Sequence, residues 1–154
     1  GEAVSEEKGE AAQSADLDCL IDISVNAHIP ESYVESLTLR LDVYRRIADI
    51  RNKEDSLDVK DELKDRFGEI PESVLGLIDI ALIRNCANAM GIYEIRQTDT
   101  NVLLFVKEIK SPKVIELLSR LNGRAMLSAG NKPYITIRCG GGSSLDMLKK
   151  VFKI

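Results

Sequence analysis

The sequence predicts an α+β fold: antiparallel hairpins forming a small sheet packed against several helices, in the order β-ααα-ββ-α-ββ-α. Three observations predict it. Between residues 31 and 90 apolar residues recur every three to four positions, the period of a helix face. After Gly91 the period drops to two, first in "IYEIRQTDTNVLLFVKEI" and again in "AMLSAGNKPYITIRC". Serine, proline and glycine sit at the changes of period, where helices begin and end.

The elements follow in order. Residues 1–18 hold six acids against one base, Lys8, and lack apolar periodicity. Such a stretch cannot bury enough surface to offset its ordering entropy, so it reads as a disordered acidic linker or an expression remnant. Residues 19–154 read as one domain. "LIDISVNAHIP", residues 20–30, alternates Leu20, Asp22 and Ser24 with Ile21, Ile23 and Val25, a strand pattern. Pro30 ends it and suits the start of a helix. That first helix, 31–52, places Tyr33, Val34, Leu37, Leu41, Tyr44, Ile47 and Ala48 toward the core. A second, 55–67, has Ser56 as its cap and Val59, Leu63 and Phe67 on its inner face. Gly68 fits the left-handed position after it, and Pro71 the first turn of a third helix, 71–90.

The third helix is apolar on most sides. Asp79, Arg84, Asn85 and Asn88 interrupt it, which favours a buried central helix over a membrane span. The first hairpin turns at Thr98–Asn101. Ser111 and Pro112 open a helix to Leu121, closed by Asn122 and Gly123. Ser143 or Ser144 caps the last helix, 145–152.

Composition narrows the function. The chain has 154 residues, 44% hydrophobic and 30% charged, with no tryptophan, so its core is aliphatic. Outside residues 1–18 there are 20 bases and 19 acids. A near-neutral body lacks the basic footprint of a phosphate-neutralising surface, so direct nucleic-acid contact is not expected. Cys19, Cys86 and Cys139 have no CxxC spacing, and the last two read as small core residues in a reducing cytoplasm. The first residues are acidic, not a signal peptide, and no initiator methionine is present; the chain reads as part of something longer.

Catalytic chemistry is hard to place. His28 is the only histidine, with no HxxxH or HxxE partner, and is better read as a packing or surface residue. "CGGGSS", residues 139–144, could cradle a phosphate between a strand and a helix. It matches neither GxxxxGK[ST] nor GxGxxG, and a flexible turn accounts for it. No catalytic, metal or cofactor site emerges. The string "DELKDRFGEIPESV" remains. Glu62 and Asp65 lie one helical turn apart, and Arg66 follows Glu62 by four residues, the favourable order for an intrahelical pair. Spacing alone allows a solvated face or a contact site.

Three strings carry more than spacing: "IPESYVESLTLRLDVYRRIADI", "LKDRFGEIPESVLGLIDIALIR" and "MGI". They resemble the C-terminal (TRCF, D7) domain of the bacterial transcription-repair coupling factor Mfd, with its IPxxY segment, RLxxYxRIA helix, ELxDRFGxxP junction and helix ending in LGI. The matching positions are Ile29–Tyr33, Arg40–Ala48, Glu62–Pro71 and Met90–Ile92. His28 stands where the family commonly has an aromatic, and Met90 where it often has leucine. The likeness is specific over residues 20–95 and looser beyond.

The resemblance implies a non-catalytic regulatory domain without cofactor, monomeric, cytoplasmic and free of membrane. The parent would be an ATP-dependent DNA translocase of transcription-coupled nucleotide excision repair, which removes stalled RNA polymerase and recruits UvrA. This domain would pack on the UvrB-like N-terminal module of the same chain and mask its UvrA-binding surface. Acidic side chains of the junction would face arginines on that module, a role carried onto Glu62 and Asp65, with Arg66 at the rim. A nucleic-acid-binding accessory module is the alternative function.

Overall fold

The structure, a computed structural model, describes residues 18–121, 123–139 and 143–154. The acidic stretch 1–17, Asn122 and the three glycines 140–142 lie outside the described residues, and with them most of the linker and the glycine turn. The chain divides into two compact units. One holds residues 23–85 and 141–154, the other residues 86–140 together with the segment up to Asp22.

The first unit is helical. Helix α1 spans Leu37–Ala48, α2 Lys53–Phe67, α3 Glu72–Ala89 and α5 Ser144–Val151, while α4, Pro112–Leu121, belongs to the other unit. The side chains of Ser36, Asn52 and Ser143 accept the N–H groups of Leu39, Asp55 and Asp146, capping α1, α2 and α5. Two expected boundaries therefore move. Helix α1 starts at Leu37, because Ser36 takes the cap and residues 31–33 form a turn. Helix α2 starts at Lys53, two residues early, because Asn52 caps it. Ser56 is instead buried in its first turn, donating to the carbonyl of Lys53 at 2.6 Å.

The face of α1 also differs from the expected one. Val43 and Ile47 are buried, and the stripe continues past the helix to Ile50, 1% exposed. Leu37, Leu41 and Tyr44 stand outside, at 62%, 46% and 37% exposure. Helix α1 carries two apolar stripes, and the one that continues into Ile50 takes the core. That core gathers Ile29, Val34, Val59, Leu63, Val74 and Ile78 around the α1 stripe. Gly76 of α3 faces Ala27, whose Cβ would lie 3.5 Å from any Cβ added there.

The polar residues of α3 have structural duties. Asp79 pairs with Lys149 of α5 at 3.1 Å. Asn85 donates from its side chain to the carbonyls of Ile50 and Ala81. Three residues on, within the other unit, the Asn88 side chain accepts the N–H of Cys19 at 2.7 Å. A buried backbone group without a partner costs about 1–3 kcal/mol, so these residues fix where the flanking chain can lie. Among the described residues no helix is long and apolar enough to cross a membrane.

The second unit holds a five-stranded sheet. Its strands are β1 (Leu20–Asp22), β2 (Ile92–Thr98), β3 (Asn101–Val106), β4 (Ala125–Ser128) and β5 (Tyr134–Arg138), in the spatial order β1-β2-β3-β5-β4. The β2–β3 and β4–β5 hairpins form as expected, and β3 pairs antiparallel with β5. Strand β1 is the exception: it runs parallel to β2, so the sheet is mixed. Nearly seventy residues separate the two strands, and a long connection admits parallel pairing where a hairpin cannot. It is also short. The strand ends at Asp22, although the sequence alternation runs on to Val25. Along β3 and β5 burial alternates strictly. Val102, Leu104, Val106, Ile135 and Ile137 are buried, and Leu103, Phe105, Tyr134 and Thr136 are partly exposed.

Candidate functional site

The candidate surface is built by the C-terminal half of α2 and the turn that follows. Leu63, 2% exposed, anchors α2 in the helical core, and Phe67 packs against that core from its edge. The sides of α2 away from Leu63 therefore face water. The end of α2 is tied down twice. Gly68 takes φ +93°, a conformation costly for any residue with a Cβ, and its N–H reaches the Lys64 carbonyl. The Tyr33 hydroxyl lies 3.2 Å from the carbonyl of Leu63 and 2.9 Å from that of Gly68, and its ring packs on Phe67 at 5.7 Å. Burial, then the nearby Glu69 carboxylate, pushes the Tyr33 hydroxyl above its ordinary pKa, so it stays a donor. The "RFG" of the junction and the tyrosine of the "IPESY" string thus form one structural device.

Glu62 is the hub of the outer face. Its Oε1 accepts from the Nε of Arg46 at 3.1 Å and also from Nη2 of the same guanidinium. Its Oε2 accepts from Arg66 at 3.1 Å. The hydrogen bond to Arg46 is the main cause that holds the Glu62 carboxyl below the usual glutamate range, and it outweighs the opposing effect of burial; the bond to Arg66 adds to it. Arg46 is raised in turn, with Asp49 and Asp58 adding to the effect of Glu62. The Arg66 guanidinium also lies 4.9 Å from the Phe67 ring centroid.

Asp65 differs. It is exposed, one turn from Glu62, with no ion-pair partner among the described residues. Asp61, Glu62, Lys64 and Asp65 together line a shallow surface concavity. The structure thus joins Glu62 to Arg66 as the spacing indicated and leaves Asp65 open beside them. It also supplies a participant that spacing does not reveal, Arg46 of α1, sixteen residues upstream. The arginine doublet at 45–46 is the only trace of it in the sequence. Arg45 turns away to Asp42 at 3.0 Å.

Elsewhere among the described residues the sequence candidates stand apart. His28 is exposed, and its backbone N–H donates to the Ser73 carbonyl. Among the described residues no group of three or more His, Cys, Asp or Glu side chains could hold a metal ion. Cys19 is the buried cysteine; Cys86 and Cys139, expected in the core, are only partly buried. Burial still raises both thiols above their ordinary pKa, the opposite of what a reactive thiolate needs.

Comparison with known proteins bears on this surface. The TRCF domain family model matches residues 23–116, which include α1, α2, α3 and the junction. The transcription-repair-coupling factor of Bacillus subtilis is 30% identical over 156 residues, covering 97% of this chain and 13% of that protein. The Staphylococcus epidermidis factor is 32% identical over 116 residues, covering 75% of this chain and 10% of that protein. The chain therefore spans only a small part of the length of these relatives. A crystal structure of the C-terminal domain of transcription-repair coupling factor matches with a TM-score of 0.76 over 88% of both chains, at 17% identity, a likeness of fold. With its family match running through the helices that build the Glu62 surface, the chain belongs to the TRCF domain family.

Proposed function

We propose that this chain is the C-terminal regulatory domain of a bacterial transcription-repair coupling factor, and that it masks the UvrA-binding surface of the factor's UvrB-like N-terminal module. Family membership and relatives that are themselves coupling factors support the first part. The second rests on the outer face of α2. ATP-driven translocation on DNA and removal of stalled RNA polymerase are assigned to other modules of the parent. This domain contributes an intramolecular contact and no catalysis.

One observation carries the masking role: an open carboxylate, Asp65, stands beside a carboxylate, Glu62, already held in one orientation by two arginines. Asp65 offers both oxygens to an incoming guanidinium, the geometry of a bidentate pair. Glu62 retains acceptor capacity on Oε2, so a partner arginine joins or displaces Arg66 there. Pairs of this kind steer and orient association and are worth only ~0.2–1 kcal/mol each when exposed to water, which suits a contact that must release.

The test uses the full-length parent. Asp65→Lys places a cation against the partner's arginines, so UvrA binding by the resting factor should rise about tenfold or more. Glu62→Gln, which keeps the shape of the hub, should raise it less. Unchanged UvrA binding in a folded Asp65→Lys protein would remove the masking role from this face.

A further inference from the structure

The near-neutral charge of residues 19–154 conceals a division. Residues 23–85 carry nine bases against thirteen acids; residues 86–140 carry eight bases against four. The basic segment supplies four of the five strands of the sheet. One sheet face is buried through Ile95, Val102, Leu104, Ile135 and Ile137. The other is open, and register places its residues in rows. Phe105 stands opposite Tyr134, and Leu103 opposite Thr136, which stands opposite Met126. Asn101 stands opposite Arg138.

Two features of this open face point to one ligand. The first is a run of aromatic rings. Phe105 lies 5.4 Å from Tyr134 and 6.2 Å from Tyr93 between centroids, and all three residues are partly exposed. The second is charge. At the far end of the same face Arg124 and Arg138, with Asn101, Thr136 and Met126, line a concavity of about 640 Å³. Both arginines are exposed, and neither has an ion-pair partner among the described residues. The acids of the face lie to the other side: Glu94 is held by Arg96 at 2.6 Å, and Asp22 stands opposite Arg96, whose guanidinium lies 5.4 Å from the Phe105 ring centroid and leaves Tyr134 as the ring nearer Arg124 and Arg138. The half made by β3, β5 and β4 carries rings and cations without an acid.

We infer that this half of the sheet binds single-stranded DNA, with bases stacked on Phe105 and Tyr134 and backbone phosphates on Arg124 and Arg138. Rings along a sheet with cations at one end fit a chain that alternates flat apolar bases with phosphates. Four residues of β5, roughly 13 Å, separate Tyr134 from Arg138, room for about two nucleotides. A duplex keeps its bases stacked inside and cannot use the rings. The rows between the rings and the arginines are mainly apolar, with Leu103 and Met126 beside Thr136, which suits a deoxyribose better than a 2′-hydroxyl.

The experiment is fluorescence anisotropy of a labelled short oligothymidylate with the intact chain at low salt. The binding constant should fall with salt at a log–log slope of about −1.4, the value for two phosphate contacts on a single strand. Arg124→Glu/Arg138→Glu should weaken binding at least tenfold and flatten the slope. Phe105→Leu/Tyr134→Leu keeps apolar bulk and removes the stacking, and should weaken binding at least fivefold with little change in slope. Arg51→Glu/Lys53→Glu, the same charge change in the helical unit, should leave binding close to wild type. Circular dichroism checks that each variant folds. No binding at low salt overturns the inference. So does equal affinity for duplex DNA, tighter binding of an RNA of the same sequence, or binding unaffected by the ring substitutions. The Asp65→Lys test of masking reads a different unit and a different ligand, so either idea can fail without the other.

Discussion

The two units of this chain are encoded differently. In the helical unit single residues make several contacts at once. Tyr33 spans two carbonyls and a ring, Glu62 holds two arginines, and Asn85 reaches two carbonyls. Tyr33 and Glu62 fall within the matched family motifs, and Asn85 directly follows one of the quoted strings. The sheet unit rests on alternation: apolar residues of any kind at every second position bury one face. Of the quoted strings only "MGI" enters it, ending at Ile92 of β2, although the family model runs on to residue 116. A contact that needs one residue type leaves a motif in the sequence; an alternation of apolar residues leaves only a period.

That contrast can be broken or sharpened by substitution. The largest effect is expected at Leu63, whose truncation to alanine removes fully buried volume and should lower stability by ~2–5 kcal/mol in urea denaturation. Ile47→Ala should cost a similar amount. Leu41→Ala, on the exposed stripe of α1, should cost under about 1 kcal/mol, and a loss equal to that of Ile47→Ala would overturn the reported face. Tyr33→Phe deletes only the hydroxyl that reaches Leu63 and Gly68, and should cost ~0.5–1.5 kcal/mol.

The smallest effect concerns pH. Folding lowers the Glu62 pKa, so its contribution to stability is fully present above the ordinary glutamate value of 4.5 and is lost as pH falls through the lower, folded value. The pair is solvent-exposed, so the loss should be ~0.2–1 kcal/mol. Stability curves of wild type and Glu62→Gln should converge below pH 4.5 and separate above it. Parallel curves throughout would mean that the hub contributes nothing.

Much of this was legible in the sequence, because periods and punctuation are local. The element order, both hairpins, Gly68 and the Glu62–Arg66 pair all follow from spacing within a few residues. What was missed depends on distant partners. Helix α1 has two apolar stripes, and nothing local says which one meets α2. The parallel pairing of β1 depends on a strand seventy residues away. Ser56 looked like a cap because its type suits one, while Asn52 was nearer to the true start. Arg46 joins the hub only because α1 passes α2. The charge division between units vanished in a whole-chain sum.

Glu62 also has a consequence for inheritance. One carboxylate serves two arginines, so the effect of changing either depends on whether the other remains. Losing Arg66 while Arg46 stays leaves the carboxylate oriented; losing Arg46 shifts its hold to a single bond from Arg66. The two replacements together strand the charge, and their joint cost should exceed the sum of the separate ones. The order in which mutations arrive at positions 46, 62 and 66 therefore matters. A lineage that first replaces Glu62 frees both arginines to drift, while one that keeps it constrains them as a pair.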